Sequence, residues 1–228
     1  MKPWKTLASA STSEGPFLLC ERDGEIVIRV RGKTLMSSRA YRSEEVLGEI
    51  CAKALSKKKS ARVLLGGLGM GFTLRSLLDH LPVDSKILVA ELLPEIVEWN
   101  KGPLAHLTKH SLLDPRVSLE QTDVGKIIAR SKGAFDAILL DVDNGPEPLS
   151  RQSNRALYGP EGLAAAKNAL RPGGLFALWS AEPEPLFQKL LKKAGFQVEA
   201  HLAAAYGKAG GPVRGKQHVI YLGKTHFD

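Results

Sequence analysis

The chain has 228 residues, of which 43% are hydrophobic and 25% are charged, and its formal net charge is +8. This length and composition predict a globular protein with one good core, or a core plus a small appendage. No apolar run approaches the roughly 20 residues that a membrane-spanning helix needs, and no apolar stretch after the N-terminus predicts a signal peptide. These patterns argue against a membrane protein and predict a cytoplasmic one.

The two cysteines, Cys20 and Cys51, lack the spacing of metal ligands. We expect both to be buried free thiols, as in a reducing cytoplasm, and we expect no metal. Lysines cluster at 57–59, at 192–193 and between 208 and 224. Such clusters could attract a nucleic acid or another anion. No aromatic residues interleave them, so a solvated surface is favoured over a nucleic-acid site.

The N-terminal part of the chain divides into two predicted regions. Residues 1–15 are polar and small, which predicts a flexible N-terminus. Residues 16–42 hold short apolar runs separated by turns, and Asp23 with Gly24 is typical of a hairpin. We expect a small antiparallel β-unit that cannot offset its ordering entropy alone. It should pack on the rest of the chain, or pair with another copy in a homodimer.

The main domain is predicted over residues 43–228. Ser43 is expected to cap its first helix, because Glu44 and Glu45 fall in the first turn and apolar residues then recur at helical spacing. Strands and helices alternate from there on, which predicts a doubly wound, Rossmann-like α/β fold with a mostly parallel seven-stranded sheet. Strands are expected at 62–66, 86–91, 116–120, 136–141, 175–180 and 218–222, and helices near 161–170 and 185–191.

Three glycines, Gly67, Gly69 and Gly71, lie in the first strand-to-helix turn of that domain. Without Cβ atoms the backbone can bend sharply and approach a ligand, and the following helix offers unpaired N–H groups. The next strand ends at Glu91, about 20 residues on, where an acid meets the ribose hydroxyls of a nucleotide-like cofactor. The Gly-x-Gly-x-Gly spacing favours S-adenosylmethionine over a dinucleotide.

A second acidic position, Asp141, ends the strand predicted at 136–141. Open α/β sheets bind their ligands at the carboxyl ends of strands, so Asp141 is a candidate site residue. A turn or capping role is the alternative. The segment 147–159 is rich in Pro, Ser and Asn without apolar periodicity, which is typical of a lid over a reacting centre.

The assembled pattern resembles the spermidine synthase (polyamine aminopropyltransferase) family, within the class I S-adenosylmethionine-dependent methyltransferase fold. The resemblance covers roughly residues 16–222. It rests on the small β-unit, the glycine turn, the acid-x-x-Pro-Glu segment within 90–98, and the strand and loop at 135–146. The motif Arg171-Pro172-Gly173-Gly174 before a strand is shared with methyltransferases generally.

The resemblance implies a division of roles along the site. Glu91 would accept hydrogen bonds from both ribose hydroxyls, Asp123 would accept from the adenine amine, and Asp141 would be the catalytic residue. The implied cofactor site comprises Gly67, Gly69, Gly71, Glu91, Leu92, Asp123, Val124 and Asp141. The implied substrate site comprises Glu44, Asp143 and Asn144.

The chain departs from the family pattern at three places. Gly69 stands where the family's turn carries an aspartate that anchors the aminopropyl donor. Asn144 replaces the second aspartate of the loop, while Asp143 adds a carboxylate beside it. Ser43 and Glu44 stand where the family has a Tyr-Gln or Tyr-His pair.

Three functions follow as alternatives. Gly69 favours methyl transfer from S-adenosylmethionine, because nothing evident selects a decarboxylated donor, and the acidic trio Glu44, Asp141 and Asp143 favours a small amine acceptor. The second function is aminopropyl transfer from decarboxylated S-adenosylmethionine, giving a polyamine. The third, of another class, is a non-catalytic cofactor-binding or nucleic-acid-associated protein, supported only by the basic surface.

Overall fold

The computed structural model describes residues 2–12, 15–142, 155–207 and 214–226. Strands and helices are numbered here in chain order. The strands are β1 (Lys5–Thr12), β2 (Gly15–Arg22), β3 (Glu25–Val30), β4 (Lys33–Ser37), β5 (Arg62–Gly66), β6 (Lys86–Glu91), β7 (Val117–Gln121), β8 (Phe135–Leu140), β9 (Leu170–Ser180), β10 (Gln197–Tyr206) and β11 (Arg214–Lys224). The α-helices are α1 (Arg42–Leu55), α2 (Phe72–His80), α3 (Pro94–Lys101), α4 (Val124–Arg130), α5 (Arg155–Tyr158), α6 (Pro160–Ala169) and α7 (Pro185–Lys193).

The first four strands form an antiparallel sheet in the order β1-β2-β3-β4. Strand β1 corrects the sequence prediction, which placed residues 1–15 in a flexible N-terminus. It pairs with β2 from Lys5 opposite Glu21 to Thr12 opposite Gly15. Leu7, Ala8 and Ala10 on this strand pack against the core. A short run of small residues thus forms a strand because a partner strand and an apolar surface are available to it.

This small sheet packs on the main domain, as expected. Phe17, Leu19 and Ile28 are buried in the same apolar cluster as Leu47 of α1 and Leu74 of α2. Burial of that face ties the N-terminal sheet to the helices that precede and follow β5. The N-terminal sheet therefore forms one side of the main cavity, which is described below.

The main sheet has seven strands in the order β10-β11-β9-β8-β5-β6-β7. Pairings from β9 through β7 are parallel, and β11 runs antiparallel to both of its neighbours. Leu65 of β5 faces the cluster that includes α1 and α2, whereas Leu64 faces the cluster that includes α4 and α6. Helices cover both faces, so the predicted doubly wound, mostly parallel α/β fold is confirmed.

The first helix begins differently from its prediction. Helix α1 starts at Arg42 after an N-cap at Tyr41, and no side chain caps it. Ser43 lies inside the first turn and is fully buried. The predicted cap at Ser43 is therefore wrong, and its hydroxyl is available for a contact elsewhere.

The glycine-containing turn expected before strand 175–180 is part of β9, because this strand begins at Leu170. The backbone N–H of Gly173 donates to the carbonyl of His226, and that of Thr225 donates to the carbonyl of Gly174. These bonds hold the turn beside the end of β11. Strand β11 is also longer than the expected 218–222, and β10 was not among the expected strands. The two form a hairpin that pairs from Gln197 opposite Lys224 to Tyr206 opposite Arg214.

One lysine of the cluster at 57–59 has a structural partner. Lys58 Nζ lies 3.0 Å from Oδ1 of Asp136, which is almost fully buried, and Arg171 contacts the other carboxylate oxygen at 2.9 Å. Burial opposes the charge of Asp136, but the N–H of Arg62 and the Lys58 ammonium hold its pKa below the ordinary value. Lys58 thus neutralises a buried carboxylate, which weakens the basic cluster as an interaction surface.

Across the described ranges, no helix has the length and apolar character needed to cross a membrane. The same part of the chain holds no group of three or more His, Cys, Asp or Glu side chains arranged to bind a metal ion. Cys20 and Cys51 are both buried as free thiols.

Candidate active site

A cavity of about 450 Å³ opens at the carboxyl end of the parallel strands. Gly67, Glu91, Asp123 and Asp141 line it, and they lie at or just after the ends of β5, β6, β7 and β8. Adjacent parallel strands end at one edge of the sheet, which is where open α/β folds bind ligands. The topology thus brings together four residues that are spread over 75 positions of the sequence.

The glycine turn is constrained by the backbone around it. Gly67, Gly69 and Gly71 all have positive φ, at 87°, 52° and 86°. A Cβ on Gly67 would lie 2.1 Å from the carbonyl oxygen of Asp141, so no other residue fits there without movement of the backbone. Asn100 of α3 donates from Nδ2 to the carbonyl of Gly69 at 2.8 Å. The turn is therefore fixed in shape before any ligand binds.

Met36 of β4 explains why Gly69 has no side chain. A Cβ on Gly69 would lie 2.6 Å from the Met36 terminal methyl carbon and 2.9 Å from its sulfur. Both residues line the cavity. The N-terminal sheet thus fills the space in which the related family carries an aspartate, and this part of the wall is apolar.

Glu91 is a buried carboxylate held by the backbone. Oε2 accepts from the N–H of Leu68 at 2.9 Å, and Oε1 accepts from the N–H of Leu93 at 2.8 Å. Burial raises the pKa of Glu91, and backbone N–H groups, including that of Gly69, counteract it. Each oxygen keeps a lone pair, so the carboxylate can still accept one hydroxyl hydrogen on each side.

The adenine-side candidates also lie on the cavity wall. Asp123 is the N-cap of α4, and Oδ1 accepts from the N–H of Gly125 at 2.7 Å. Within the described part of the chain Oδ2 has no donor, so the residue can cap the helix and accept from a ligand. Val124 is buried against Gly66, and Leu92 lines the cavity with 36% of its surface exposed.

These observations test whether the residues fit a nucleoside cofactor. The glycine turn leaves a cradle that a Cβ at Gly67 or Gly69 would fill. Glu91 presents a fixed acceptor beside that cradle, and Asp123 presents a second acceptor farther along the same edge. A side chain that accepts a pair of ribose hydroxyls and one that accepts an exocyclic amine are what an adenosine moiety requires. The residues present therefore fit the group.

The other end of the cavity is acidic. Asp141 accepts from the Thr73 hydroxyl at Oδ2, at 2.6 Å, where α2 begins. Burial raises the pKa of Asp141 against that hydrogen bond. Glu44 of α1 lies close enough for the two charges to interact, and burial followed by the charge of Asp141 raises the pKa of Glu44. Two half-buried carboxylates in one cavity favour a bound cation or a shared proton.

A chain of hydrogen bonds also connects Glu44 to strand β11 of the main sheet. The Ser43 hydroxyl donates to Glu44 Oε2 at 2.8 Å and lies 2.9 Å from Nδ1 of His218 on β11. The His218 ring packs edge-on against Trp179 of β9, with ring centroids 4.6 Å apart. Burial, with a smaller effect of the Lys216 charge, lowers the pKa of His218 to about 4. The imidazole is thus neutral in the ordinary pH range.

Two of the predicted substrate residues cannot be placed. Asp143 and Asn144 lie outside the described residues, as does the predicted lid up to residue 154. Of the predicted substrate site, the structure places Glu44 at the cavity and beside Asp141. Helix α5 and Gly159 end the segment that was predicted as a lid.

Several cavity residues gave no sequence signal of their own. Met36 and Trp179 lie in strands that read as ordinary apolar runs, and His218 begins the apolar run of the last strand. Thr73 and Asn100 lie on helices just outside the cavity lining, where they bond to Asp141 and Gly69. Thr73 alone had a positional signal, since it follows the glycine turn by two residues at the helix end where a ligand is expected.

The fold and the site together define a class of protein, a doubly wound, Rossmann-like α/β fold with a cavity at the carboxyl ends of its parallel strands. The family model described as "Spermine/spermidine synthase domain" matches residues 42–199. The chain belongs to the spermine/spermidine synthase family.

Curated relatives agree with this assignment. Over 152 residues the chain is 30% identical to polyamine aminopropyltransferase 2 of Pseudomonas aeruginosa, a match that covers 62% of this chain and 41% of the relative. It is 29% identical over 150 residues to the polyamine aminopropyltransferase of Saccharolobus islandicus, covering 66% of this chain and 48% of the relative. The chain thus matches somewhat under half the length of these curated relatives.

Solved structures share the fold. The spermidine synthase of Thermotoga maritima superposes with a TM-score of 0.76 at 19% identity, covering 98% of this chain and 73% of that one. A spermidine synthase described as probable, from Corynebacterium glutamicum, gives a TM-score of 0.64 at 16% identity, covering 98% and 81%. At such identities the likeness to these structures shows the architecture alone.

Proposed function

We propose that this protein transfers an aminopropyl group from decarboxylated S-adenosylmethionine to a small amine. The sequence analysis placed methyl transfer first and aminopropyl transfer second. The curated relatives are aminopropyltransferases, so the second function now has the better support. The acidic end of the cavity supports the same choice on physical grounds.

The observation that carries the proposal is the half-buried pair Glu44 and Asp141 at one end of the cavity. Among the described lining residues the cation is Lys216, an exposed side chain that forms an ion pair with Glu182. His218, the nearest titratable base, is neutral. An ammonium group at this end would be stabilised by both carboxylates, whereas a carboxylate there would be repelled. A decarboxylated donor and an amine acceptor both meet that requirement.

The chain's own residues would then divide the work. Glu91, Asp123 and the glycine turn bind and orient the nucleoside. When bound, the donor supplies a carbon activated by its sulfonium leaving group. Asp141 orients the acceptor amine and accepts its proton, so that the lone pair faces the reacting carbon. Thr73 holds Asp141 in place through its hydrogen bond.

Titration calorimetry with the two donors side by side tests the proposal. We expect decarboxylated S-adenosylmethionine to bind more tightly than S-adenosylmethionine, and Glu44→Gln to reduce that preference. Glu98→Gln is the matched control, because Glu98 is an exposed residue on α3. Mass spectrometry of products with a panel of small amines then identifies the transferred group. Tighter binding of S-adenosylmethionine, with a methylated product, would overturn the assignment.

One observation favours the methyl-transfer alternative. Met36 fills the space beside Gly69, so the turn offers an apolar contact where a donor ammonium would need a carboxylate. The same calorimetric comparison decides between the two functions. If no amine accepts a group from either donor, the protein catalyses neither transfer. The non-catalytic alternative then applies.

We also propose a homodimer. In the described part of the chain, β1 and β4 are the edge strands of the N-terminal sheet and have no partner strand on their outer sides. Edge strands can pair with a second copy. Light scattering at high protein concentration should give twice the mass of the chain, and a monodisperse monomer would exclude the dimer.

A further inference from the structure

Proton exit is a requirement of the proposed reaction, on which this inference rests. An amine acceptor is an ammonium ion near neutral pH and must lose a proton before its nitrogen can attack. In the transfer a C–N bond forms, the C–S bond breaks and its electron pair stays on sulfur. The product amine is again cationic, so one proton leaves for each turnover. Asp141 and Glu44 can receive it but must then release it.

The contacts of Ser43 provide a route from those carboxylates. A serine hydroxyl has one hydrogen and can donate it to only one partner at a time. When the Ser43 hydroxyl donates to Glu44 Oε2, its oxygen must accept from His218, which requires the hydrogen on Nδ1. When Glu44 is protonated, it donates to Ser43, the hydroxyl turns to donate to Nδ1, and the hydrogen of the ring lies on Nε2.

We propose that His218 is a positioning residue that relays protons out of the acidic end of the cavity through Ser43. A proton on Glu44 moves to the Ser43 oxygen while the Ser43 hydrogen moves to Nδ1 of His218. The hydrogen on Nε2 leaves to water, which leaves the ring hydrogen on Nδ1. Before the next proton arrives the ring turns away from Ser43, Nδ1 gives this hydrogen to water and Nε2 takes one up, so the Nε2–H tautomer is restored. The imidazole loses one proton as it gains one, so no charge accumulates on a ring that resists charging.

Three physical features support this role. Ser43 is fully buried, so water cannot replace the hydroxyl between Glu44 and His218. The His218 ring packs edge-on against Trp179 and is only partly buried, so water can reach it. The charged groups around the relay are Asp141 and Glu45 beside Glu44, and Lys216 beside His218. The positive charge of Lys216 opposes a positive charge on the nearby imidazole. Tautomer exchange is therefore favoured over protonation of the ring.

Nitrogen-15 NMR of the free protein tests the relay without relying on activity. The His218 signal is identified as the one lost in His218→Gln. We expect the Nδ1–H tautomer at about pH 9, where Glu44 is ionised, and the Nε2–H tautomer at about pH 6. In Ser43→Ala this change should disappear. One tautomer at both pH values in the unmodified protein would overturn the proposal.

Kinetics of the full enzyme provide the second arm. Both Ser43→Ala and His218→Gln should lower kcat by about tenfold, less than loss of the base itself, with KM for the donor unchanged. Their pH–rate profiles should lose the limb set by Glu44. His201→Gln, at a partly exposed histidine on β10, should behave as the unmodified enzyme.

The two arms separate the possible failures. Unchanged profiles in Ser43→Ala and His218→Gln would overturn the relay even with aminopropyl transfer established. If no aminopropyl transfer occurs at all, the tautomer experiment still decides whether Glu44 and His218 are coupled through Ser43. If Ser43→Ala does not fold, His218→Gln carries the kinetic test, because its site is only partly buried.

Discussion

The cavity has a buried carboxylate at one end and a half-buried pair at the other, and they are held in different ways. Glu91 accepts backbone N–H donors on both oxygens, at 2.9 Å and 2.8 Å. Asp141 and Glu44 each receive a side-chain hydroxyl, at 2.6 Å and 2.8 Å, and they repel each other. Backbone donors are fixed in position, whereas a hydroxyl can turn and become an acceptor.

This difference in how the carboxylates are held indicates how one cavity can both bind a ligand and transfer protons. Fixed N–H donors favour the ionised form of a carboxylate and counteract the burial that raises the pKa of Glu91. A pair with rotating donors and a like charge nearby gains and loses protons readily. The Glu91 end is therefore suited to holding a ligand, and the Asp141 end to handling protons. Substitutions at each end should separate affinity from turnover.

Asp141→Asn should have the largest effect, on turnover. The substitution keeps the size of the side chain and an oxygen that can accept from Thr73, but it removes the basicity. We expect kcat to fall by about a hundredfold or more, and donor affinity to change much less. Asp84→Asn, at an exposed position, is the control. Full activity of Asp141→Asn, with an unchanged melting curve, would assign this residue to loop structure.

Glu91→Ala should show the complementary result, a loss of affinity. Removing an ionised acceptor should weaken cofactor binding by about 1.5–3 kcal/mol, measured by calorimetry. Glu98→Ala provides the matched control on the neighbouring helix. The interpretation of this end fails if the unmodified protein shows no thermal shift with S-adenosylmethionine, its decarboxylated form or S-adenosylhomocysteine.

Gly67→Ala should affect the shape of the binding end through the backbone. Gly67 and Gly133 both have positive φ, but an added Cβ meets the Asp141 carbonyl only at Gly67, and Gly133 has open space. Gly133→Ala should lower the free energy of unfolding by about 1–2 kcal/mol through strain alone. Gly67→Ala should lose more than this in urea denaturation. Equal losses would show that the turn can relax.

Glu44→Gln should also act on stability, visible as a change in its pH dependence. Burial and the charge of Asp141 raise the pKa of Glu44 from 4.5 to about 8 in the folded protein. The resulting stabilisation is fully present below 4.5 and is lost as the pH rises through about 8. The unmodified protein should therefore lose melting temperature relative to Glu44→Gln across this range. In an Asp141→Asn background the difference should shrink.

The binding end could be predicted from sequence because its parts are local. The glycine turn and Glu91 belong to one strand-turn-helix-strand unit, in which a fixed spacing has a fixed geometric meaning. Asp123 and Asp141 follow two more strands of the same sheet. Parallel strands end at a common edge, so their positions follow from the alternation of strands and helices alone.

The acidic end depends on packing that no local pattern encodes. His218 is 175 residues from Ser43, and it reaches the site because β11 lies beside β9. A serine before two acids is typical of a helix cap, and the sequence could not show that α1 begins two residues earlier, at Arg42. Met36 likewise reaches Gly69 only because the N-terminal sheet packs over the glycine turn.

Strand β11 follows β10 along the chain, yet in the sheet it lies between β10 and β9. On the ribosome, the segments that form the glycine turn, Glu91 and Asp123 emerge long before this strand, and parallel pairing of β5, β6 and β8 does not require it. The nascent protein can thus assemble the edge that holds the glycine turn, Glu91 and Asp123 first. His218 joins it only when β11 is inserted, so the two ends of the cavity are completed at different times during synthesis.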